Sequence, residues 1–349
     1  MSAATPKKAD GWFKECGPHS SVVISSRVRL ARNVLNASFP SLNKQTDLKN
    51  VLDTVLKVAE AHPLFKKGSI QRMPDLSALD RQVLMERHII SKELAANDRF
   101  GGLLLDETER TPVMINEEDH VRMAALGPGL GLEEAWERLT ELDDWMGKRL
   151  PWSYHTSFGF LTACPTNCGT GLRASTLLHL PALVMTNEIH NILQGLSRLG
   201  LAARGFYGEG SKALGDIFQI SNASSLGKNE KSLIRLVQQI TLRLVKHETE
   251  ARQRIHETPW RVKTEDAVFR SLGILQNARQ IGFEEAMTLL SRLRLGLHLG
   301  LDLGVSLSTL NSLTILTQPA HLTRAEGKDL SIPDRDAARA ALLRKNLAR

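Results

Sequence analysis

Two hydrophobic rhythms divide this sequence at Glu230, and that division constrains the fold more than any other feature. Upstream, short apolar runs alternate with segments whose apolar residues recur every three or four positions; downstream only the helical period remains. In the upstream part a Val-Val-Ile run marks a strand at Ser21–Ser26, and further runs predict strands at Gly102–Leu105, Val113–Ile115, Val121–Ala125, Phe158–Ala163 and Phe218–Ser221. Leu48, Val51, Leu52, Val55 and Val58 place one apolar face on a helix at Leu48–Ala61, and similar spacing predicts helices at Leu132–Met146 and Glu188–Leu199. The runs between 102 and 125 follow one another too closely for crossover helices, so antiparallel pairing is expected rather than a doubly wound parallel sheet. After Leu233, Val237, Ile240 and Leu244, helices are expected through 264–298, 306–316 and 334–347. The expectation is an α+β domain over residues 1–257 and a helical domain over 258–349, with the boundary near Thr258–Pro259; a chain of 349 residues suits about two domains.

A hydrophobic fraction of 42% beside 24% charged residues supports a buried core and excludes a disordered chain. Forty-five Lys and Arg against thirty-eight Asp and Glu give a net charge of +7, which directs attention to anionic partners. Acids are interspersed with the bases throughout, so a local anion site is expected rather than a nucleic-acid-binding tail, and no aromatic platform for bases stands out. Cys16, Cys164 and Cys168 are too few for a disulfide framework, and the Cys164/Cys168 pair lacks the second pair a zinc site needs. No apolar run approaches the ~18 residues that cross a bilayer, and Met1–Trp12 has no apolar leader core. A cytoplasmic protein with no membrane or nucleic-acid partner is expected.

Common nucleotide loops are missing. There is no GxxxxGK loop, no kinase-type VAIK or HRD and no GxSxG elbow; Gly127–Gly131 has the wrong glycine spacing, and Gly208–Ala213 lacks a surrounding βαβ unit. What stands out instead is arginine in short segments rich in glycine and serine. Ser25-Ser26-Arg27-Val28-Arg29 puts two guanidinium groups on one side of an extended chain; Arg122 follows the acidic run Asn116-Glu117-Glu118-Asp119-His120. Arg173 closes the segment from Cys164 to Gly171, and Arg204 opens Arg204-Gly205-Phe206-Tyr207-Gly208-Glu209. Any one of these arginines alone would be an ordinary surface residue. Together, with glycines that let backbone approach a ligand, they could form a phosphate cage of guanidinium forks in place of a Walker loop.

These segments resemble the phosphagen kinase superfamily, the creatine and arginine kinases, in the SSRVR opening, NEEDHxR, CPTNxGTxxRAS and the Arg-Gly…Glu loop before Ile-Ser-Asn. The stretches Ser25–Asn33, Leu161–Leu183 and Arg204–Glu230 are more specifically similar to the bacterial protein arginine kinases of the McsB family. The resemblance implies a phosphagen-kinase-like, glutamine-synthetase-like catalytic domain with an antiparallel sheet backed by helices. It implies ATP and Mg2+ as cosubstrates, and arginine side chains of proteins as acceptors. Carried over, Arg27, Arg29, Arg122, Arg173 and Arg204 hold the phosphates, and His88 lies beside the adenine. Ser25, Ser26, Val28, Ala174, Ser175, Thr176, Leu177, Gly205, Phe206, Tyr207 and Gly208 complete the ATP-binding segments. Glu118 and Glu209 hold the acceptor guanidinium, Cys164 is the reactive cysteine beside it, and Cys168 packs. No protein metal ligand is implied.

The chemistry explains those residue types. An arginine guanidinium is so weak an acid that neutralising it at pH 7 would cost ~7–9 kcal/mol, so the acceptor must bind as a cation. Two carboxylates can fix both edges of its plane while one of them takes the proton as the N–P bond forms. Arginines and magnesium then compensate the phosphoryl charge. Small-molecule phosphagen kinases carry a helical domain before the SSRVR segment that covers the small acceptor. Here 24 residues precede Ser25, and the expectation is a pocket open to a polypeptide side chain.

In the helical part, Arg335-Asp336-Ala337-Ala338-Arg339-Ala340 resembles the RDxxRA motif, which implies phosphoarginine binding by Arg335, Asp336, Arg339 and Ala340 at an allosteric site away from catalysis. Read without the family, Arg335 and Arg339 are one helical turn apart and could grip one phosphate. The resemblance also implies a homodimer through this domain, a zinc-containing activator protein, and delivery of phosphorylated clients to a Clp-type unfoldase and protease in stress response and quality control. A small-guanidino phosphagen kinase and a catalytically silent phosphoarginine-binding adaptor are the alternatives.

Overall fold

The computed structural model describes residues 11–97, 99–205, 213–257 and 259–348. Its strands are β1 (Val23–Arg32), β2 (Ser69–Arg72), β3 (Gly102–Leu105), β4 (Val113–Ile115), β5 (Val121–Pro128), β6 (Tyr154–His155), β7 (Gly159–Phe160), β8 (Leu172–His179), β9 (Leu201–Arg204) and β10 (Ile217–Asn222). The helices are α1 (Gln45–Glu60), α2 (Pro63–Lys66), α3 (Ala78–Glu86), α4 (Lys92–Ala96), α5 (Leu132–Gly147), α6 (Pro181–Met185), α7 (Ile189–Arg198), α8 (Glu230–Glu257), α9 (Trp260–Asn277), α10 (Phe283–His298), α11 (Leu307–Leu316), α12 (Pro319–Glu326) and α13 (Ile332–Leu347).

Eight strands form one sheet in the order β2-β3-β4-β5-β1-β8-β10-β9, and every pairing is antiparallel. One face is apolar because alternate residues of the central strands, Val28 and Leu30 on β1 and Ala174 on β8, are buried there in the main core. Helices α5 and α8 cover it. Leu132, Ala135, Leu139, Leu142 and Met146 recur at helical spacing along the buried side of α5, and Glu133 and Glu134 sit in its first turn, where the helix dipole favours them.

The C-terminal helices build their own cluster from Val268, Leu272, Leu290, Leu293, Leu310, Leu313 and Leu343. A third cluster joins them to the opposite sheet face: Trp12 and Phe13 pack with Ala124, Leu126, Leu177 and Ile217, and with Met287 of α10 and Ile315 of α11. A polar tie reinforces that junction, since the Glu86 carboxylate at the end of α3 accepts the Ala320 and His321 backbone N–H groups in the first turn of α12, at 2.8 and 3.0 Å. Among the described residues, no helix is long and apolar enough to cross a membrane.

The structure corrects several expected elements. The first strand does not stop at Ser26 but runs to Arg32, and Arg173 and Arg204 lie on strands β8 and β9 rather than in glycine-rich loops. Their alternation was masked because the outward positions on one side are arginine and serine instead of a mixed polar set. The strand expected at Phe158–Ala163 shrinks to Gly159–Phe160, and the helical stretch 264–298 breaks between Asn277 and Phe283.

Candidate active site

Strand register decides where the arginines point. Arg29 lies directly opposite Arg173 across β1 and β8, and Arg122 lies opposite Ala31, two residues along from Arg29. Leu177 pairs with Gln219, and Gln219 pairs with Arg204. Because side chains alternate, Arg27, Arg29, Arg122, Arg173 and Arg204 all emerge on the face opposite the helical layer. Val28, Ala174, Thr176 and Ser26 have the other parity. Thr176 Oγ1 meets Thr241 Oγ1 of α8 at 2.9 Å, and Ser26 Oγ donates to Gly129 O at 2.7 Å, so these residues can meet a ligand on the arginine face only through backbone.

The arginine face holds more positive charge than its own carboxylates offset. Burial, and then the proximity of Arg122, lowers the Arg27 guanidinium to about 10; Arg29 is driven well below its ordinary value by burial and then by Arg27, Arg122 and Arg173. The Nε atoms of both Arg27 and Arg29 are buried with no hydrogen-bond partner. Arg122 behaves oppositely. Burial disfavours its charge, but Glu117, Glu118 and Asp119 together outweigh burial and raise its pKa. Arg122 Nη1 is 2.7 and 2.5 Å from the two Glu117 oxygens. Arg173 Nη2 donates to Ser221 Oγ at 3.1 Å. A polyanion laid on this face would supply the missing acceptors, and that fits a nucleotide's phosphates.

Beside Arg27 lies a narrow cleft lined by Trp12, Phe13, His88, Leu126, Ser175 and Leu177. Ser25 and Gln219 complete its wall. His88 follows α3 in a left-handed conformation, φ 58°, and its ring lies 5.9 Å from Phe13, itself stacked on Trp12. Burial, and secondarily Arg27, pushes the imidazole down to about 4, so it is neutral at pH 7 and presents a flat, uncharged ring. Such a cleft suits a planar base. Trp12 and Phe13 were missed in the sequence, where they end a polar lead; two adjacent aromatics in a chain only 5% aromatic were the available signal.

At the far end of β5 the acidic loop is built by side chains that bind backbone. Asn116, with φ 53°, donates from Nδ2 to Leu48 O and Phe100 O at 2.8 and 2.9 Å. Asp119 is buried; its Oδ1 accepts from Asn33 Nδ2 at 2.6 Å and from Ala163 N at 2.7 Å. That carboxylate therefore joins the Glu118 loop to the Cys164 loop. His120 accepts from Val34 N at Nδ1 and meets Ser38 O at Nε2, 2.9 Å, which fixes a neutral ring with its proton on Nε2. Glu118 stays accessible, its side chain 39% exposed with one oxygen 3.8 Å from Arg122 Nη1; burial raises its carboxyl and Arg122 opposes the rise. Cys164 Sγ lies 3.0 Å from Thr166 Oγ1, while Cys168 contacts Thr162 inside the same turn. Gly171 has φ 67°, and a Cβ there would fall 2.5 Å from Ala31 O and from Arg32 Nη1, so only glycine lets this loop enter β8 beside β1.

The structure thus brings Glu118, Cys164, Arg27, Arg29, Arg122, Arg173, Arg204, His88, Ser25, Ser175 and Leu177 to one side of the sheet. Phe206, Tyr207, Gly208 and Glu209 lie outside the described residues; Gly205 is the last one before them. Glu117, the buried partner of Arg122, was not singled out in the sequence, although its place in the acidic run was visible. Among the described residues, no group of three or more His, Cys, Asp or Glu could hold a metal ion.

In α13, Arg339 is 2% exposed and donates to Thr317 O, Ile281 O and Asp336 Oδ1 at 2.8, 2.8 and 2.5 Å. The picture of Arg335 and Arg339 as paired free forks is corrected accordingly. Arg339 is committed to the interior, Ala340 is buried, and Arg335 is half-buried one turn earlier.

A fully antiparallel sheet whose polar face carries an arginine array beside a carboxylate loop defines a guanidino phosphotransferase. The sequence agrees: residues 47–251 match the ATP:guanido phosphotransferase C-terminal catalytic domain, and residues 261–349 match the protein-arginine kinase McsB C-terminal domain. The chain belongs to the protein-arginine kinase family, and it is a phosphotransferase. It is 45% identical over 338 residues to the protein-arginine kinase of Geobacillus stearothermophilus, covering 96% of this chain and 93% of that one, and 43% identical over 338 residues to that of Bacillus subtilis, with the same coverage. Solved structures share the fold. The duplicated taurocyamine kinase of Schistosoma mansoni with bound transition state analog components superposes at TM-score 0.62 and 24% identity, over 68% of this chain and 35% of that one. A lombricine kinase superposes at 0.59 and 22%, over 69% and 70%.

Proposed function

We propose that this protein transfers the γ-phosphoryl group of ATP, with Mg2+, to arginine side chains of proteins. The observation that carries the reading is the half-buried arginine face, with the Nε atoms of Arg27 and Arg29 buried and unpartnered, next to the accessible Glu118 carboxylate. Phosphoryl transfer needs charge compensation and alignment more than covalent chemistry. Arg27, Arg29, Arg122, Arg173 and Arg204 supply the compensation from a rigid sheet. Glu117 holds Arg122 in place, and the Trp12/Phe13/His88 cleft orients the base. Glu118 meets the acceptor guanidinium and, with Glu209, fixes its plane; one of the two receives the proton from the attacking Nη as the N–P bond forms. The raised Glu118 pKa favours proton acceptance. Cys164, the residue after Ala163, borders that acceptor position.

We assign Arg335 and Asp336 on α13 to a second, phosphoarginine-binding regulatory site, with Arg339 as its internal support. We further propose a homodimer through the helical C-terminal part, activation by a zinc-containing protein, delivery of clients to a Clp-type unfoldase in stress response, and a cytoplasmic location, to which the three unpaired cysteines are suited. The domain division at 258 is part of the same reading. A protein substrate treated with this enzyme and ATP and analysed by mass spectrometry at neutral or basic pH should show arginine N–P adducts. Phosphorylation of free arginine alone would point to the small-guanidino reading, and no transfer at all to the silent adaptor. Glu118→Gln should retain ATP binding and lose at least ~10²-fold in transfer.

A further inference from the structure

A second concave surface lies on the other side of the Cys164 turn. It is a groove of about 1680 Å³, open mouth included, between the β6–β7 hairpin and the start of α8. Three of the large apolar side chains left exposed by the fold converge on it: Tyr154 at 58%, Phe158 at 54% and Leu226 at 48%. Lys228, Lys231 and Arg235 line the same groove and are exposed, and among the described residues no carboxylate forms an ion pair with any of them. Lys231 and Arg235 are one turn apart on α8 and so share a ridge. The acid on the groove, Glu230, is already engaged, accepting from Trp136 Nε1 at 3.0 Å and lying 4.0 Å from buried Arg32. The groove therefore offers apolar anchors and uncompensated positive charge.

It is also mechanically continuous with the acceptor site. Phe160 N donates to Gly169 O at 2.8 Å, and Arg32, the last residue of β1, stacks on the Phe160 ring at 3.6 Å while donating to Thr170 O at 2.9 Å. The segment from Phe160 to Gly169 contains Cys164, so the wall of the groove and the turn bordering the acceptor are one piece of chain.

We propose that this groove docks an acidic segment of the protein substrate, carrying an aliphatic or aromatic side chain, while an arginine of the same substrate occupies the acceptor site; the inference rests on the function proposed above. The two sites select opposite charges, a cation at Glu118 and anions at Lys228, Lys231 and Arg235. Substrates are thereby chosen for acidic-apolar segments at a distance from the modified arginine. Basic and aromatic side chains together also suit single-stranded nucleic acid; the continuity with the Cys164 turn favours the polypeptide.

The test uses the full-length protein and a fluorescein-labelled, arginine-free peptide of Glu and Asp around a central Leu-Phe pair, followed by anisotropy without nucleotide. Saturable binding that weakens with salt and falls at least ~10-fold in Lys228→Glu/Arg235→Glu and, separately, in Phe158→Ser supports the proposal, provided thermal unfolding is unchanged. The KM for a protein substrate containing such a segment should rise by a similar factor in these variants, with kcat and KM for an arginine peptide too short to reach the groove unchanged. Absence of peptide binding, equal binding by the variants, or preferential binding of an unstructured oligonucleotide overturns it. If the wild type phosphorylates neither substrate, the kinase reading fails on its own, whatever the peptide titration shows.

Discussion

Asp119 and Ala163 are 44 residues apart in sequence, yet the Asp119 carboxylate accepts the Ala163 backbone N–H at 2.7 Å, and that bond places the Glu118 loop against the Cys164 turn. The same oxygen accepts from Asn33 Nδ2, so one buried side chain fixes three segments around the proposed acceptor position.

Asp119→Ala should therefore misplace the acceptor without touching the phosphate face. The expected result is a fall in kcat of about 10²-fold, the cost of roughly an ångström of misalignment, with nucleotide affinity changed little. Stability should drop as well, since two donors lose their charged acceptor at about 1.5–3 kcal/mol each. Asp119→Asn keeps an oxygen for both donors and should recover part of the rate. Loss of ATP binding equal to the loss of rate would show that the two halves of the site are not separable in this way.

Arg29 illustrates a conflict between function and stability. It is half-buried, its Nε is buried without a partner, and around it the charges of Arg27, Arg122 and Arg173 outweigh that of Glu117. Arg29→Met should raise the unfolding midpoint of the nucleotide-free protein, by about 2–4 °C for each kcal/mol recovered, while removing most of the stabilisation that ATP confers. A lower midpoint without nucleotide would mean that the arginine array is internally compensated. Differential scanning fluorimetry with and without ATP measures both effects.

How much of this was readable beforehand differs by level. The antiparallel sheet, the helical second half and the arginine set were legible, because close-spaced apolar runs and a specific motif vocabulary carry them. Strands β8 and β9 were not. Their alternation pairs buried Leu172, Ala174 and Leu178 with arginine and serine directed at a ligand, which reads as a loop when only one face is apolar in the usual sense. Trp12 and Phe13 carried only their adjacency as a signal, since only tertiary packing brings the amino-terminal turn beneath Leu126 and Leu177. Arg339 shows the reverse error: helical spacing made it a partner of Arg335, but three carbonyl and carboxylate oxygens from other segments and its own helix hold it inside.

Acid sensitivity should arise where the C-terminal helices meet the sheet. His179 at the end of β8 is fully buried; its Nε2 meets Ser291 Oγ of α10 at 2.9 Å, and Ser291 donates to Asp216 Oδ2 at 3.0 Å. Burial, then Arg294, Arg252 and His298, holds the imidazole well below its ordinary value. The folded pKa is depressed, so the unfolded chain takes the proton first. The stability is complete above about pH 6.5 and lost as pH falls below it, at about 1.4 kcal/mol per unit for each such histidine. Of the charged groups facing it, Arg252 is paired with Glu248, and Arg294 is bonded to Asn311 and Ser20 O; neither gains from a third cation. His179→Gln should flatten the urea midpoint between pH 6.5 and 5 relative to wild type, and an unchanged slope would remove His179 from the account.

The two arginines of α13 should separate cleanly on mutation, because the fold gives them different work. Arg339 closes the junction between α9–α10, the end of α11 and its own helix through the oxygens of Ile281, Thr317 and Asp336, and it is 2% exposed. Removing it leaves the two buried carbonyls of Ile281 and Thr317 without that donor, so Arg339→Ala should lower stability by about 2–6 kcal/mol, at ~1–3 kcal/mol for each buried group left unsatisfied. Arg335 is half-buried near the helix start, and Ser331 and Asp334 cap that start without its side chain. Arg335→Ala should leave the unfolding midpoint within about 0.5 kcal/mol of wild type. If α13 binds phosphoarginine, calorimetry with a phosphoarginine peptide should show binding lost in Arg335→Ala at full stability, and any change in turnover should be confined to the 5- to 150-fold expected of coupling between distinct sites. Wild-type affinity in Arg335→Ala would leave Arg335 an ordinary surface cation and return α13 to a purely structural role.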